Sequence, residues 1–253
     1  MIRRIAEDLA LALTFMTRLP VPCAWIRPGR TLAEALWAMP LGGVAVGALG
    51  SAVILTAHHA GLHAGLSSIL AVAAMILATV ALHEDGLADF VDGIGGGHSI
   101  ERRLEIMRDS QIGAYGTLGL ISAFAILVKL LEELIVHLNP WYFLATMIAA
   151  AAVARSSIAL IFVLLRPARK DGLATFFGYP GRFNLALTLV WPASMAVVLL
   201  GVRAGALLGG ALVAVLTLAA IAYRYLGGYT GDVFGASICL SFITSLIAVR
   251  LIL

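Results

Sequence analysis

Asp85, Asp89 and Asp92 fall at i, i+4 and i+7 in the stretch HEDGLADFVDG, His83 to Gly93. On a continuous helix they stand within about 60° of one another on one face, with Glu84 about 100° away. Like charges at that spacing destabilise a helix, so the face calls for a compensating cation. Hard divalent ions bound by carboxylate oxygens, Mg²⁺ or Mn²⁺, suit it, with Asp85, Asp89 and Asp92 as the ligands. The bland alternative is a solvated helix end. Against it, seven of the fourteen acidic residues (Glu84, Asp85, Asp89, Asp92, Glu101, Glu105 and Asp109) crowd into this one region.

The run Gly93-Ile-Gly-Gly-Gly97 follows at once and is expected to break the helix and free backbone N–H groups for an anion. It is not a P-loop, since no Gly-Lys-Ser/Thr follows, nor a dinucleotide fingerprint, since His98 stands where the third glycine would be. Beside three aspartates it fits a phosphate and its metal sharing one pocket. Ser99 is placed to cap a short helix whose Ile100, Leu104 and Met107 form an apolar stripe. Arg102, on the side of Asp109, is the candidate phosphate contact there. Asp109 reads equally as a helix N-cap or as a fourth metal ligand.

Arg155, inside the apolar run AAAVARSSIALIFVLL, is expensive unless it faces the bundle interior and pairs; it reads as an anion ligand or a partner of the aspartates. Gly227-Gly-Tyr-Thr-Gly-Asp232 is a second Gly-rich turn, where Thr230 or Asp232 reads equally as a helix cap. His83-Glu84 opens like a zinc-protease motif, but Leu87 occupies the second histidine position.

The elements that carry these residues are transmembrane helices. Of 253 residues only 12% are charged and 61% are hydrophobic, and the mean hydropathy is +1.01, which excludes an ordinary soluble domain, where about a quarter of residues are charged. Segments near 40 to 57, 66 to 83, 112 to 136, 142 to 165, 184 to 202, 204 to 223 and 233 to 253 approach the roughly 20 apolar residues of a span. The fold class is therefore all-α: one polytopic membrane bundle of about seven spans, residues 1–253, with short interfacial helices. MIRRIAEDLALALTFM reads as a retained amphipathic helix, since Glu7 and Asp8 interrupt any signal peptide. Lys and Arg alternate between successive flanks: rich before the first span, in Ser99 to Gln111, in Arg166 to Phe183 and near Arg224, and absent from His58 to Gly65 and His137 to Trp141. That pattern puts every charged cluster on one side of the membrane, facing the cytoplasm. Gly43-x-x-x-Gly47-x-x-x-Ser51 reads as close helix packing. Cys23 and Cys239 read as inert thiols.

With these residues in view, HEDGLADFVDGIGGG and ERRLEIMRDSQIGAYG resemble the adenosylcobinamide-GDP ribazoletransferase family, also called cobalamin synthases. The resemblance extends to FMTRLPVP at Phe15 to Pro22, ARSS at Ala154 to Ser157 and GGYTGDVFGA at Gly227 to Ala236. It implies a membrane-bound, Mg²⁺-dependent transferase that joins adenosylcobinamide-GDP to α-ribazole, or its 5′-phosphate, with loss of GMP. It carries Asp85, Asp89, Asp92 and Asp109 over as the acidic catalytic positions, and Arg108, Ser110, Gly113, Arg155 and Asp232 as substrate contacts, beside Arg102. Gln111 departs from the basic residue common there. Asp89-x-x-Asp92-Gly93 also resembles the opening of the CDP-alcohol phosphotransferase motif, but the following Ala-Arg pair is absent. The rivals are such a phospholipid enzyme and an ion-coupled transporter; against the transporter, no inverted repeat is visible. The lipid bilayer is an expected partner and nucleic acid is not; a homo-oligomer is compatible with the sequence.

Overall fold

The computed structural model describes residues 2–21, 29–169 and 177–253; Cys23 and the end of FMTRLPVP lie outside them. The described chain is helical: α1 Ile2–Met16, a 3₁₀ turn Leu36–Ala38 leading into α2 Met39–His59, α3 Ala64–Thr79, α4 Leu82–Gly96, α5 Ile100–Ile106, α6 Ala114–His137, α7 Pro140–Leu164, α8 Arg182–Leu200, α9 Arg203–Leu226 and α10 Gly231–Arg250. Among the described residues, five segments are long and apolar enough to cross a membrane: Leu36–His59, α7, α8, α9 and α10. The pair α3 and α4 would make a sixth as one span broken by a 92° bend. Of the seven segments expected, five or six thus pass on length and hydropathy among the described residues. The segment near 112 to 136 is helical as α6 but carries Lys129, Glu132 and Glu133 in its second half.

The bend has a local cause. Val80 and Ala81 adopt left-handed backbone angles, φ 57° and 55°, and the Ala81 N–H donates to the Ile76 carbonyl at 3.0 Å, closing α3 with a Schellman-type turn. Left-handed backbone is costly for a β-branched residue, and since Val80 is exposed the turn is held by its backbone hydrogen bonds to the end of α3. The helix restarts at Leu82, which keeps Asp85, Asp89 and Asp92 on one helix as expected. The glycine run behaves differently from expectation. α4 continues through Gly93, Gly95 and Gly96 and stops only at Gly97, because neighbouring groups fill the space the missing side chains leave: Met107 over Gly93, the Tyr115 ring over Gly95 and Arg103 over Gly97.

α7 is the central helix, flanked by α2, α8, α9 and α10, and its Ala149–Ala152 stretch is buried. Asn139 caps it by accepting the Tyr142 N–H at 3.0 Å, with Pro140 in the first turn. The Gly43/Gly47 stripe packs as expected: a side chain at Gly43 would strike the Ala151 carbonyl, and one at Gly47 would come within 2.6 Å of the Met147 carbonyl oxygen.

The basic flanks gather at one end of the bundle. Tyr229 and the strand-like segment at Pro167 pair through Tyr229 N–H to Arg166 O and Ala168 N–H to Tyr229 O, both 2.9 Å. The Arg103 guanidinium lies 5.0 Å from the Tyr225 ring centroid, and the Arg18 N–H reaches Ala78 O at 2.7 Å. At the other end Arg203 sits 5.0 Å over the Tyr142 ring, joining the starts of α9 and α7.

Candidate functional site

α4 and α10 approach at Gly86 and Gly235, where a Cβ added to either would stand 3.1–3.2 Å from the other glycine's Cα. The two glycines let the helix backbones cross this closely, since a side chain at either would make the other helix give way by a few tenths of an ångström. The consequence is electrostatic: Asp85 and Asp89 of α4 are brought beside Asp232 in the first turn of α10, so that Asp89 feels the charges of Asp232, Asp85 and Asp92, with Arg169 opposing them. A cavity of about 380 Å³ opens there, lined on its polar side by Asp85, Asp232, Arg108 and Arg169.

The four carboxylates have different occupations. Asp232 accepts from the Thr230 hydroxyl at 3.0 Å and from Arg169 at 3.2 Å, while the Thr230 hydroxyl oxygen accepts the Val233 N–H and caps α10. The cap is therefore Thr230, and Asp232 is left facing the cavity. Asp92 is 7% exposed, and its oxygens accept the Gly113 N–H at 2.7 Å and the Gly116 N–H at 2.8 Å. It satisfies the free donors at the start of α6 from a neighbouring helix. Gly113 and Gly116 are needed here, since a Cβ at either would collide with that carboxylate. Asp85 and Asp89 make no hydrogen bond or ion pair among the described residues; theirs is the negative charge without a structural use. Asp92→Asn should therefore act on stability. Charge-assisted bonds are worth about 1.5–3 kcal/mol each, so the apparent melting temperature in detergent should fall by roughly 5 °C or more, read by thermal unfolding of the purified protein.

A second, shallower depression of about 610 Å³ adjoins the first and is lined by Asp92, Arg102, Arg108, Asp109, Gln111, Gly113 and Tyr115. Arg108 lines both. Arg102 pairs with Glu105 at 2.7 Å on the surface, and Ser99 caps α5 as expected by accepting the Arg102 N–H. Asp109 does not cap α6; it accepts the Gln111 N–H at 3.0 Å in the connecting turn. Ser110 is exposed in that turn and lines neither cavity.

Arg155 lies elsewhere. It is 4% exposed, donates to Ala151 O at 3.2 Å, and lines a small cavity of about 50 Å³ with Glu84 and His83, away from the aspartates. The opposite charge it meets is Glu84, not the aspartate cluster. Arg155 Nε, Glu84 Oε2 and His83 Nε2 are all buried without a hydrogen-bond partner among the described residues. His83 lines this cavity and the acidic one, forming the wall between them.

Sequence reasoning missed three contributors. Arg169 was only one of several flank charges, Glu84 points away from the aspartate face, and the aromatic wall of the acidic cavity draws on residues far apart in the chain. Phe15, Phe177, Phe234, Phe162 and Tyr229 form one cluster with ring centroids 4.9–5.9 Å apart, and the first three line the cavity. A signal for Glu84 did exist, since a buried Arg155 required an acidic partner.

The geometry is a charged cavity under an aromatic wall, with an arginine-bearing depression beside it. A protein-family model described as cobalamin-5-phosphate synthase matches residues 8–250 of this chain. The adenosylcobinamide-GDP ribazoletransferase of Mesorhizobium japonicum is 41% identical over 237 residues, covering 92% of this chain and 89% of the relative. The protein of the same name from Bradyrhizobium diazoefficiens is 40% identical, covering 93% and 90%, and that from Azorhizobium caulinodans is 40% identical, covering 92% and 91%. No solved structure matches the chain.

Proposed function

Because the chain belongs to the cobalamin-5-phosphate synthase family, and so carries out the nucleotide-loop step of cobalamin synthesis as an adenosylcobinamide-GDP ribazoletransferase, we propose that its two substrates meet over the carboxylates of α4 and α10. The observation that carries this is the pair Asp85 and Asp89, without a hydrogen bond or ion pair among the described residues, Asp89 meeting the charge of Asp232 and Asp85 sharing a cavity with Arg108, which lines both depressions. A hydroxyl of α-ribazole, or of its 5′-phosphate, attacks the cobinamide-side phosphorus of adenosylcobinamide-GDP. The new O–P bond forms as the bond from that phosphorus to the bridging oxygen breaks, and GMP leaves with the bridging oxygen. The hydroxyl proton passes to a carboxylate of the cluster.

Each residue then has a task that follows from its surroundings. Arg108 and Arg102 hold the diphosphate in the shallower depression, where planar guanidinium groups suit phosphate oxygens. Arg169 fixes Asp232, and Asp92 fixes α4 to the start of α6, so that attacking and leaving oxygens are held in line. Arg155 acts from behind, through Glu84 on α4.

Among the described residues, no three His, Cys, Asp or Glu side chains are already drawn together as a metal site. Mg²⁺ does not require that: it is commonly held by one or two carboxylates plus substrate phosphates and keeps several waters. Asp85 and Asp89, unbonded and mutually repelling, fit that demand; Asp92, with both oxygens on backbone N–H groups, fits it less well. When bound, the ion would neutralise charge on the diphosphate and the departing GMP. We place the chain in the cell inner membrane with this end in the cytoplasm, on the strength of the basic flanks gathered there.

The test is GMP release by the detergent-purified protein given adenosylcobinamide-GDP and α-ribazole, in Mg²⁺ and then in chelator, with thermal unfolding recorded alongside. Release should require both substrates and the ion, and Mg²⁺ alone should raise the melting temperature by several degrees, since a ligand at about 100 times its Kd stabilises by about 2.7 kcal/mol. Full activity and an unchanged melting temperature in chelator would sink the metal assignment.

A further inference from the structure

The acidic cavity has two chemically distinct walls. One is charged and runs through Asp85, Asp232, Arg169 and Arg108. The other is a continuous aromatic surface: Phe15 meets Phe177 edge-on at 5.9 Å, Phe177 meets Phe234 at 5.9 Å, and Phe162 and Tyr229 back them. Met16 and Met107 continue it with thioethers, which adapt readily to flat aromatic rings. A solvated catalytic cleft for phosphates alone has no use for such a wall. The whole cavity, about 380 Å³, is at the lower end of the roughly 300–1,000 Å³ typical of small-molecule pockets.

We propose that this cavity is the acceptor site, with the aromatic wall taking the flat, uncharged heterocycle of the acceptor nucleoside and the charged wall receiving its ribose hydroxyl. The proposal rests on the transferase reading. α-Ribazole carries a methylated benzimidazole, whose faces and methyl edge are apolar and whose one free ring nitrogen is its single polar atom. Guanine, the other base in the reaction, has a rim of donors and acceptors that would lose water against phenylalanine and methionine without replacement bonds. The corrinoid is far too large for the cavity. The donor is left with the shallower depression, its phosphates at Arg102 and Arg108, and because Arg108 lines both sites the acceptor hydroxyl and the diphosphate lie side by side.

The experiment measures initial rates of GMP release for the detergent-purified full chain, wild type, Phe15→Leu and Phe234→Leu, varying donor and acceptor separately. The acceptor KM should rise about five- to tenfold, since an aromatic pair contributes roughly 0.5–1.5 kcal/mol beyond burial, while the donor KM stays within about twofold. The second measurement is internal to each preparation and so indifferent to misfolded protein: the ratio of kcat/KM for α-ribazole to that for the corresponding adenine riboside, which should shrink by the same factor in both variants. A rise in donor KM with acceptor KM unchanged, or an unaltered ratio, overturns the placement of the ring. If the wild-type protein itself releases no GMP from the two substrates, it is the transferase reading that fails.

Discussion

Asp89→Asn abolishes GMP release, by at least about 100-fold, while leaving the protein as stable as wild type or more so. The two halves of that expectation come from one feature. Asp89 lies among Asp85, Asp92 and Asp232, and it makes no hydrogen bond or ion pair among the described residues, so the fold gains nothing from its charge. Neutralising it removes like-charge repulsion from α4. A polar group that harms stability where it stands is retained for chemistry, and loss of even an outer-shell partner of a metal typically costs 10–100-fold. Two controls separate this from general damage. Asp92→Asn should lower the melting temperature, because it feeds the start of α6, and Glu132→Gln, whose bond is to Lys129 on the surface of α6, should release GMP within about threefold of wild type, as expected of a surface change away from special features. The measurements are steady-state GMP release and thermal unfolding in the same detergent. Asp89→Asn that retains activity within threefold would remove Asp89 from the site.

How much of this was legible in the sequence divides along the range of the interactions. Local features were readable: the helical class from hydropathy, the Ser99 cap, the Gly43/Gly47 packing stripe and the common helix of Asp85, Asp89 and Asp92. Each depends on residues within one or two turns. The break at Val80 and Ala81 was not, because neither glycine nor proline marks it and left-handed backbone is uncommon for such residues. The fate of the glycine run escaped because Met107, Tyr115 and Arg103 settle onto it from later in the chain. Asp232 was recognised, yet its neighbour Arg169 lies 63 residues away, and only the fold decides which flank arginine faces it. The aromatic wall is the least legible part: its five rings come from α1, α7, α10 and two connecting segments, and nothing in the spacing of phenylalanines announces that they share a surface.

The pairing of Arg155 with Glu84 supplies the other large effect, this time on stability. Arg155 is buried and Glu84 half-buried with its Oε2 covered, the two lining one small cavity, each with a polar atom lacking a partner among the described residues, and each is the principal opposite charge the other meets. Removing one member leaves an uncompensated charge where water is scarce, which costs about 3–5 kcal/mol, whereas removing both by residues of similar shape is often nearly neutral. Arg155→Met alone and Glu84→Gln alone should each lower the apparent melting temperature by about 10 °C. The double variant should recover more than half of that loss, with a coupling well above the roughly 0.5 kcal/mol scatter expected of independent sites. If the two losses simply add, the charges do not pair and Arg155 is held by the Ala151 carbonyl alone. Activity adds a second reading. Glu84 directly precedes Asp85 on α4, so a double variant that regains stability but not GMP release would show that the buried pair holds the α4 carboxylates in register. Recovery of both would confine the pair to a structural link between α4 and α7.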